Sequence, residues 1–133
     1  MSDATIDILD TIGAVQEGDN ETLQTVLANR LVNSNAKDKD GCSLLHWAAI
    51  NNRITIASLL IEYGANSEGG GVLNESPLQW ALRRKYYTMA QLLVEQLHVD
   101  LRHKSSQGLD ALHLSCRLGK LYTHLSNIIL KFV

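Results

Sequence analysis

Apolar side chains recur along most of the chain at the three- and four-residue spacing of helices that bury one face. The apolar groups are short, and polar or glycine-containing joints separate them at Gly18, Asn33–Gly41, Asn51–Arg53 and Asn66–Asn74. The pattern predicts an all-α chain of paired short helices, over Asn20–Ala28, Leu44–Asn51, Ile54–Tyr63 and Tyr86–Gln96, with further helices starting after Ser76 and Asp110.

Turn-forming and capping residues mark the ends of these helices. The run Asp38-Lys39-Asp40-Gly41 predicts a hairpin-type turn in which Gly41 takes a positive φ. Ser43 and Ser76 are expected N-caps, because their hydroxyls can accept from free backbone N–H groups, and Pro77 then falls at the first helical position. Gly64 is an expected left-handed stop for the helix before it.

A common register links the helix pairs. The small residues Ala14, Ala48, Ala81 and Ser115 follow one another at intervals of 34, 33 and 34 residues. A period near 33 with a core similar to T-P-L-H-x-A, seen best in the string S-P-L-Q-W-A at 76–81, resembles the ankyrin repeat. The resemblance implies an ankyrin-repeat solenoid with about three and a half helix–turn–helix repeats and hairpin-like loops. These repeats are expected near 5–37, 38–71, 72–105 and 106–133 of one domain, 1–133.

Stacked repeats bury one continuous core and leave one concave face for binding. Leu45, Leu78 and Leu112 occupy equivalent positions and are expected in that core. The last repeat is irregular, since His124 stands where earlier repeats have alanine and Ile128–Leu130 gives the repeat an apolar end. A truncated chain, a fragment of a longer product and an atypical cap all remain open.

Composition and charge place the chain among folded, reduced, intracellular proteins. Hydrophobic residues make up 45% of it and charged residues 20%, and a net charge of −2 gives no strong attraction to nucleic acid or anionic lipid. Cys42 and Cys116 lie far apart without C-x-x-C spacing, so neither a disulfide framework nor a zinc site is indicated. With no apolar run of membrane length and no basic N-terminal region, we expect a cytoplasmic monomer that uses no cofactor or metal, binds no nucleic acid and does not insert into a membrane.

No grouping of residues typical of catalysis is present, so we expect no enzyme activity from this chain. His46 and His113 occupy equivalent positions in separate repeats and are expected to hydrogen-bond backbone and order the loops. Gly69–Gly71 allow a longer or more mobile loop, but they lack the Lys-Ser/Thr that follows phosphate-binding glycines. The run Arg83-Arg84-Lys85 is a short basic patch, and both a solvated turn and an acidic partner remain open for it.

Two tryptophans and one asparagine are the candidate binding residues. Trp47 and Trp80 hold equivalent positions on neighbouring inner helices, about one helix spacing (~10 Å) apart. Tryptophan is typical of the residues that dominate binding energy, although ordinary packing remains an alternative for both. Asn51 lies one helical turn after Trp47, where its amide is able to bond a peptide backbone while an indole holds a proline ring.

The string L-L-H-W-A-A-I-N-N-R-I at 44–54 and the run from Gly70 to Ala81 resemble the repeats of ankyrin-containing DHHC palmitoyltransferases of the huntingtin-interacting type. In that family a cytosolic ankyrin domain recruits substrates through short unstructured motifs ending in Gln-Pro, and the groove residues fall on Asn51 and Trp80 here. This chain departs from the family in lacking Asp-His-His-Cys and membrane helices, and in having Gln79 where His is expected.

The resemblance implies a protein-interaction module that recruits substrates for S-palmitoylation by a DHHC acyltransferase. A longer parent protein would be a protein-cysteine S-palmitoyltransferase on the cytosolic face of the Golgi or other endomembranes. The alternative is a stand-alone ankyrin adaptor or competitor with no link to an acyltransferase.

Overall fold

The computed structural model describes residues 7–66, 69–71, 73–97, 103–111, 113 and 127. Within these ranges lie six helices, α1 Ile8–Glu17, α2 Asn20–Ala28, α3 Leu44–Ile50, α4 Ile54–Glu62, α5 Pro77–Arg83 and α6 Tyr87–Gln96. Strand-type pairing among the described residues is limited to two isolated antiparallel bridges, Lys37 with Ser43 and Gly70 with Glu75. The predicted all-α fold is confirmed, and the predicted helix ends differ from the observed ones by one residue at most for the four helices whose bounds were predicted.

The six helices form two rows. The inner row is α1, α3 and α5, in which α3 contacts the helix on either side, and the outer row is α2, α4 and α6, packed in the same order. Each inner helix also contacts the outer helix that follows it in the chain. This arrangement is a stack of helix pairs, in which each pair buries its apolar face against its neighbours. In the described part of the chain, no helix has both the length and the apolar character that a membrane crossing requires.

The start of each of the two later inner helices is held by a reciprocal pair of hydrogen bonds. The Ser43 hydroxyl accepts from the His46 backbone N–H, and the Ser43 N–H donates to His46 Nδ1 at 3.1 Å. Ser76 and Gln79 repeat this pair, with the Ser76 N–H donating to Gln79 Oε1 at 2.9 Å. Both predicted N-caps are confirmed, and Gln79 replaces histidine without losing the capping box.

The same two side chains also bond each repeat to the next. Because His46 Nδ1 accepts from Ser43, Nε2 carries the proton and donates to the Glu75 carbonyl at 2.7 Å. Gln79 Nε2 likewise donates to the carbonyls of His103 and Leu109, at 3.0 and 2.9 Å. The predicted structural role of His46, bonding backbone and ordering a loop, is therefore confirmed.

The final predicted repeat is described only at its start. Asp110 Oδ1 accepts from the His113 N–H at 2.9 Å, as expected of a helix N-cap. The His113 ring also pairs with that carboxylate, with Nδ1 2.8 Å from Asp110 Oδ1, and the backbone hydrogen bond predicted for this ring stays a prediction. The predictions for Cys116, Leu112 and the C-terminal end after it fall outside the described residues.

The turn inside each helix pair places one residue in the left-handed region. Gly18, Asn52 and Lys85 hold this position at φ of 76°, 57° and 61°, and they recur at the repeat spacing. An L side chain is strained there, so the backbone conformation of Lys85 is unfavourable, and the packing of the surrounding helices holds it in place. Gly64, the predicted left-handed stop after α4, has φ of 93° and confirms that prediction.

Small and branched residues fill the space between the rows. Leu45, Leu78, Ala48, Ala49 and Ala81 are each at most 1% exposed. The alanines let the inner helices approach closely, while the leucines form the continuous core expected from the register. Trp47 on α3 and Trp80 on α5 are only half-buried, so part of each ring stays accessible beside this core.

Candidate functional site

A cavity of about 390 Å³ opens between α3 and α5, and we call it the tryptophan groove. The inner helices contribute Trp47, Ile50 and Trp80 to its walls. The two hairpin loops and the end of α5 complete the lining, which includes Asp40, Cys42, Gly70, Gly71, Leu73, Glu75, Arg83 and Arg84. Its size is within the usual range for ligand pockets, and its walls are apolar with a few charged groups at the edges.

The two indoles meet edge to face. Their ring centroids lie 5.9 Å apart with an angle of 88° between the planes, and both side chains are half-buried. A ring held in a parallel sandwich requires about 7 Å between the outer rings, since each carbon contact takes about 3.5 Å. The indoles therefore form a right-angled corner and not a parallel slot with room for a third ring between them.

Each indole is held by a partner outside the pair. The Trp47 Nε1–H donates to Asp38 Oδ2 at 3.2 Å, which ties that ring to the hairpin loop. The buried His46 ring packs against Trp80, with centroids 4.9 Å apart and an angle of 71°. Among the described residues the Trp80 Nε1–H has no acceptor, so a donor at the groove remains available to a ligand carbonyl.

The glycines of the second hairpin loop form one wall by close approach. A Cβ built on Gly70 would lie 2.0 Å from the Gly41 carbonyl oxygen, and the Gly71 N–H donates to the Asp40 carbonyl at 3.0 Å. Sequence reasoning expected these glycines to allow a longer or more mobile loop. That expectation stays a prediction, and the structure adds a packing role for Gly70, because only hydrogen fits between the two loops there.

Asn51 stands at the end of α3, next to the groove-lining Ile50, and does not itself line the groove. Its Nδ2 donates to the Trp47 carbonyl at 2.9 Å, which caps the helix. Its Oδ1 has no hydrogen-bond donor among the described residues. The structure thus brings Trp47 and Trp80 together and leaves Asn51 at the margin, with one acceptor free.

Three charged residues lie at the edge of the groove, and nothing in the sequence indicates which of them pair. Glu75 is only 3% exposed, and its carboxylate forms an ion pair with Arg83. Arg83 also donates to Gln107 Oε1 at 3.0 Å, whereas Arg84 faces the groove with no described carboxylate within ion-pair distance. The sequence shows Arg83-Arg84-Lys85 as a basic patch, but only the folded structure shows that Arg83 is ion-paired while Arg84 is not.

The thiol of Cys42 lies buried in the groove wall and is not disulfide-bonded. Burial raises the pKa of Cys42 to about 11, and the nearby carboxylates of Asp38 and Asp40 add to the shift. The thiol stays protonated at neutral pH, so it is a poor nucleophile. Among the described residues, no group of three or more His, Cys, Asp or Glu side chains is placed to hold a metal ion.

Comparison with known proteins identifies the repeat. Residues 12–105 match ankyrin repeats in three copies. Palmitoyltransferase ZDHHC13 of Homo sapiens is 40% identical over 79 residues, which are 59% of this chain and 12% of the relative. Palmitoyltransferase AKR1 of Debaryomyces hansenii is 36% identical over 123 residues, 90% of this chain and 14% of the relative. Palmitoyltransferase Hip14 of Drosophila melanogaster is 38% identical over 81 residues, 60% and 13% respectively.

The chain therefore spans only 12 to 14% of the length of these relatives, and the matches concern that portion alone. The family match covers the six helices except the start of α1 and agrees with their stacking in pairs. Ankyrin repeats are a protein-interaction module whose concave face binds partners. The chain belongs to the ankyrin-repeat family and is similar to proteins named palmitoyltransferases.

Proposed function

We propose that this chain binds short, extended, Gln-Pro-containing segments of partner proteins in the tryptophan groove, and so recruits substrates for S-palmitoylation by a DHHC acyltransferase. The observation that carries the proposal is the open corner that Trp47 and Trp80 form in the cavity between α3 and α5. The names of the relatives supply the link to palmitoylation. In this proposal the module acts on the cytosolic side of the Golgi or another endomembrane.

A proline ring suits the corner for physical reasons. The ring is compact, apolar and rigid, so it covers the Trp80 face with little loss of conformational entropy. The chain around a proline is already extended, which matches a groove that runs between two helices. The free Trp80 Nε1–H would donate to a peptide carbonyl, and the free Asn51 Oδ1 would accept from the glutamine amide or a backbone N–H.

Acyl transfer is not assigned to the residues described here, which supply binding groups only. The relatives are named for the transferase activity, and this chain aligns with a seventh of their length or less. Within the proposal, the transfer step belongs to an acyltransferase region in the same or an associated protein.

Calorimetric titration with a Gln-Pro peptide tests the binding step. Trp80→Ala should weaken binding by about 1–3 kcal/mol, because it removes one wall of the corner. Tyr63→Ala is the matched control, since it removes an exposed aromatic ring at the end of α4, away from the groove. A Gln-Ala peptide should bind the wild type more weakly than the Gln-Pro peptide. Equal affinity of wild type and Trp80→Ala, both folded by circular dichroism, would show that the groove is not the binding site.

The link to palmitoylation needs a separate measurement. The chain would be fused to a DHHC acyltransferase domain, and acylation of a substrate carrying the Gln-Pro segment would be compared for wild type and Trp80→Ala. A lower rate for the variant supports recruitment. If Trp80→Ala loses peptide binding but acylation proceeds at the same rate as in the wild type, a stand-alone adaptor is favoured.

A further inference from the structure

The tryptophan groove carries different charges at its two ends. The helices α3 and α5 lie side by side with their capped starts adjacent, because His46 at the start of α3 bonds the Glu75 carbonyl just before α5. Asp40 lies at this end of the groove, in the loop before α3. Arg84 lies at the opposite end, as the C-cap residue of α5. A chain lying along the helices therefore runs from a carboxylate towards a guanidinium.

Pairing within the protein leaves Arg84 as the open charge at its end. The neighbouring Arg83 is neutralised by the buried Glu75 and held further by Gln107. Arg84 is exposed and lines the groove, and no described carboxylate lies within ion-pair distance of it. A cation in this state favours an anionic group on whatever occupies the groove.

Helix geometry sets where that anion has to be. Arg84 follows Trp80 by four residues on α5, so the two side chains share a face and are offset by about 6 Å along the helix axis. An extended peptide advances about 3.3 Å per residue, so two residues span the same offset. Residues two apart in an extended chain also point to the same side, so both would face α5.

We propose that the groove prefers segments with an acidic side chain two residues from the residue that packs on Trp80, with Arg84 as its counter-charge. This inference rests on the proposed function and specifies the partner's chemistry more closely. The occupant is an extended, acidic protein segment. A bare polyanion fits less well, because Asp40 lines the other end of the same groove.

Charge-matched peptides and variants provide the test. Two Gln-Pro peptides carry Glu at the position two before or two after the proline, and their counterparts carry Gln or Lys there. Each is titrated by calorimetry into wild type, Arg84→Gln and Lys85→Gln. The last variant is the control, because Lys85 is an equally charged, exposed neighbour that does not line the groove.

At low ionic strength, one of the two Glu peptides should bind the wild type about 2- to 5-fold more tightly than its Gln counterpart, as expected of an exposed ion pair. The preference should be lost in Arg84→Gln, kept in Lys85→Gln, and reduced by added salt. The Lys peptide at that position should bind more weakly than the Gln peptide.

Equal binding of the Glu and Gln peptides at both positions would overturn the inference while leaving the proposed function intact. The same conclusion follows if Arg84→Gln keeps the preference of the wild type. If no Gln-Pro peptide binds the wild type at all, both the inference and the proposed function are wrong.

Discussion

Replacing single glycines by alanine tests the packing of the two hairpin loops, because the same added methyl group meets three different surroundings. At Gly70 the new Cβ would lie 2.0 Å from the Gly41 carbonyl oxygen, whereas an unstrained contact of this kind is about 3.3 Å. At Gly13, inside α1, no atom lies within 4 Å of the new Cβ. At Gly108 the surroundings are also open, but φ is +76°.

These differences translate into different changes in the free energy of unfolding. Gly70→Ala has to move the loops apart by more than 1 Å, at about 1–3 kcal/mol for overpacking, and it weakens the Gly71–Asp40 backbone hydrogen bond, at about 1 kcal/mol more. Gly13→Ala should stabilise the protein by about 0.5–1 kcal/mol, because it reduces the freedom of the unfolded chain. Gly108→Ala should cost about 1 kcal/mol from backbone strain alone.

Urea unfolding followed by far-UV circular dichroism measures all three, with the dependence on urea concentration compared to check that the variants unfold alike. Tryptophan fluorescence adds a local readout, since Gly70, Gly71 and Trp80 line the same groove. The expected order of stability is Gly13→Ala, wild type, Gly108→Ala, Gly70→Ala. If Gly70→Ala is as stable as Gly13→Ala, the two hairpin loops do not pack as closely at Gly70 as the structure shows.

Three further predictions concern single side chains. Burial lowers the pKa of His46, so below about pH 6.5 the unfolded state binds more protons and stability falls as the pH falls. His46→Gln places at 46 the residue found at the equivalent position 79. It should reduce the slope of unfolding free energy against pH, measured by urea unfolding, by up to about 1.4 kcal/mol per pH unit. An unchanged slope would contradict this assignment to His46. Lys85→Gly should stabilise by about 1 kcal/mol by relieving a φ of 61°, and a loss in melting temperature would refute this. The pKa of Cys42 is raised from 9.0 to about 11, which lowers its thiolate fraction at neutral pH about 100-fold. Alkylation of Cys42, followed by peptide mass spectrometry, should therefore be about 100-fold slower in native than in unfolded protein, and equal rates would contradict its burial.

Within the candidate site, the sequence identified the aromatic residues and the structure assigned their partners. The equivalence of Trp47 and Trp80 followed from the repeat register alone, and their proximity is confirmed. Their edge-to-face geometry depends on the exact rotation of α3 against α5, which no local pattern specifies. The peptide-binding role predicted for Asn51 stays a prediction, since its amide donor bonds Trp47 and its acceptor is free.

The amino-acid sequence by itself determined the features that depend on residues within one turn of each other. Helix caps such as Ser43 and Ser76 form from neighbours three residues away, and the recurring small residues set the period of the stack. Only the tertiary structure decided which polar side chains have partners within the protein. His46 donates to a carbonyl 29 residues away, and Arg83 is ion-paired with Glu75 while Arg84 has no such partner among the described residues. The physical reason is distance along the chain, because contacts between repeats depend on the relative placement of two units that each local pattern describes only separately.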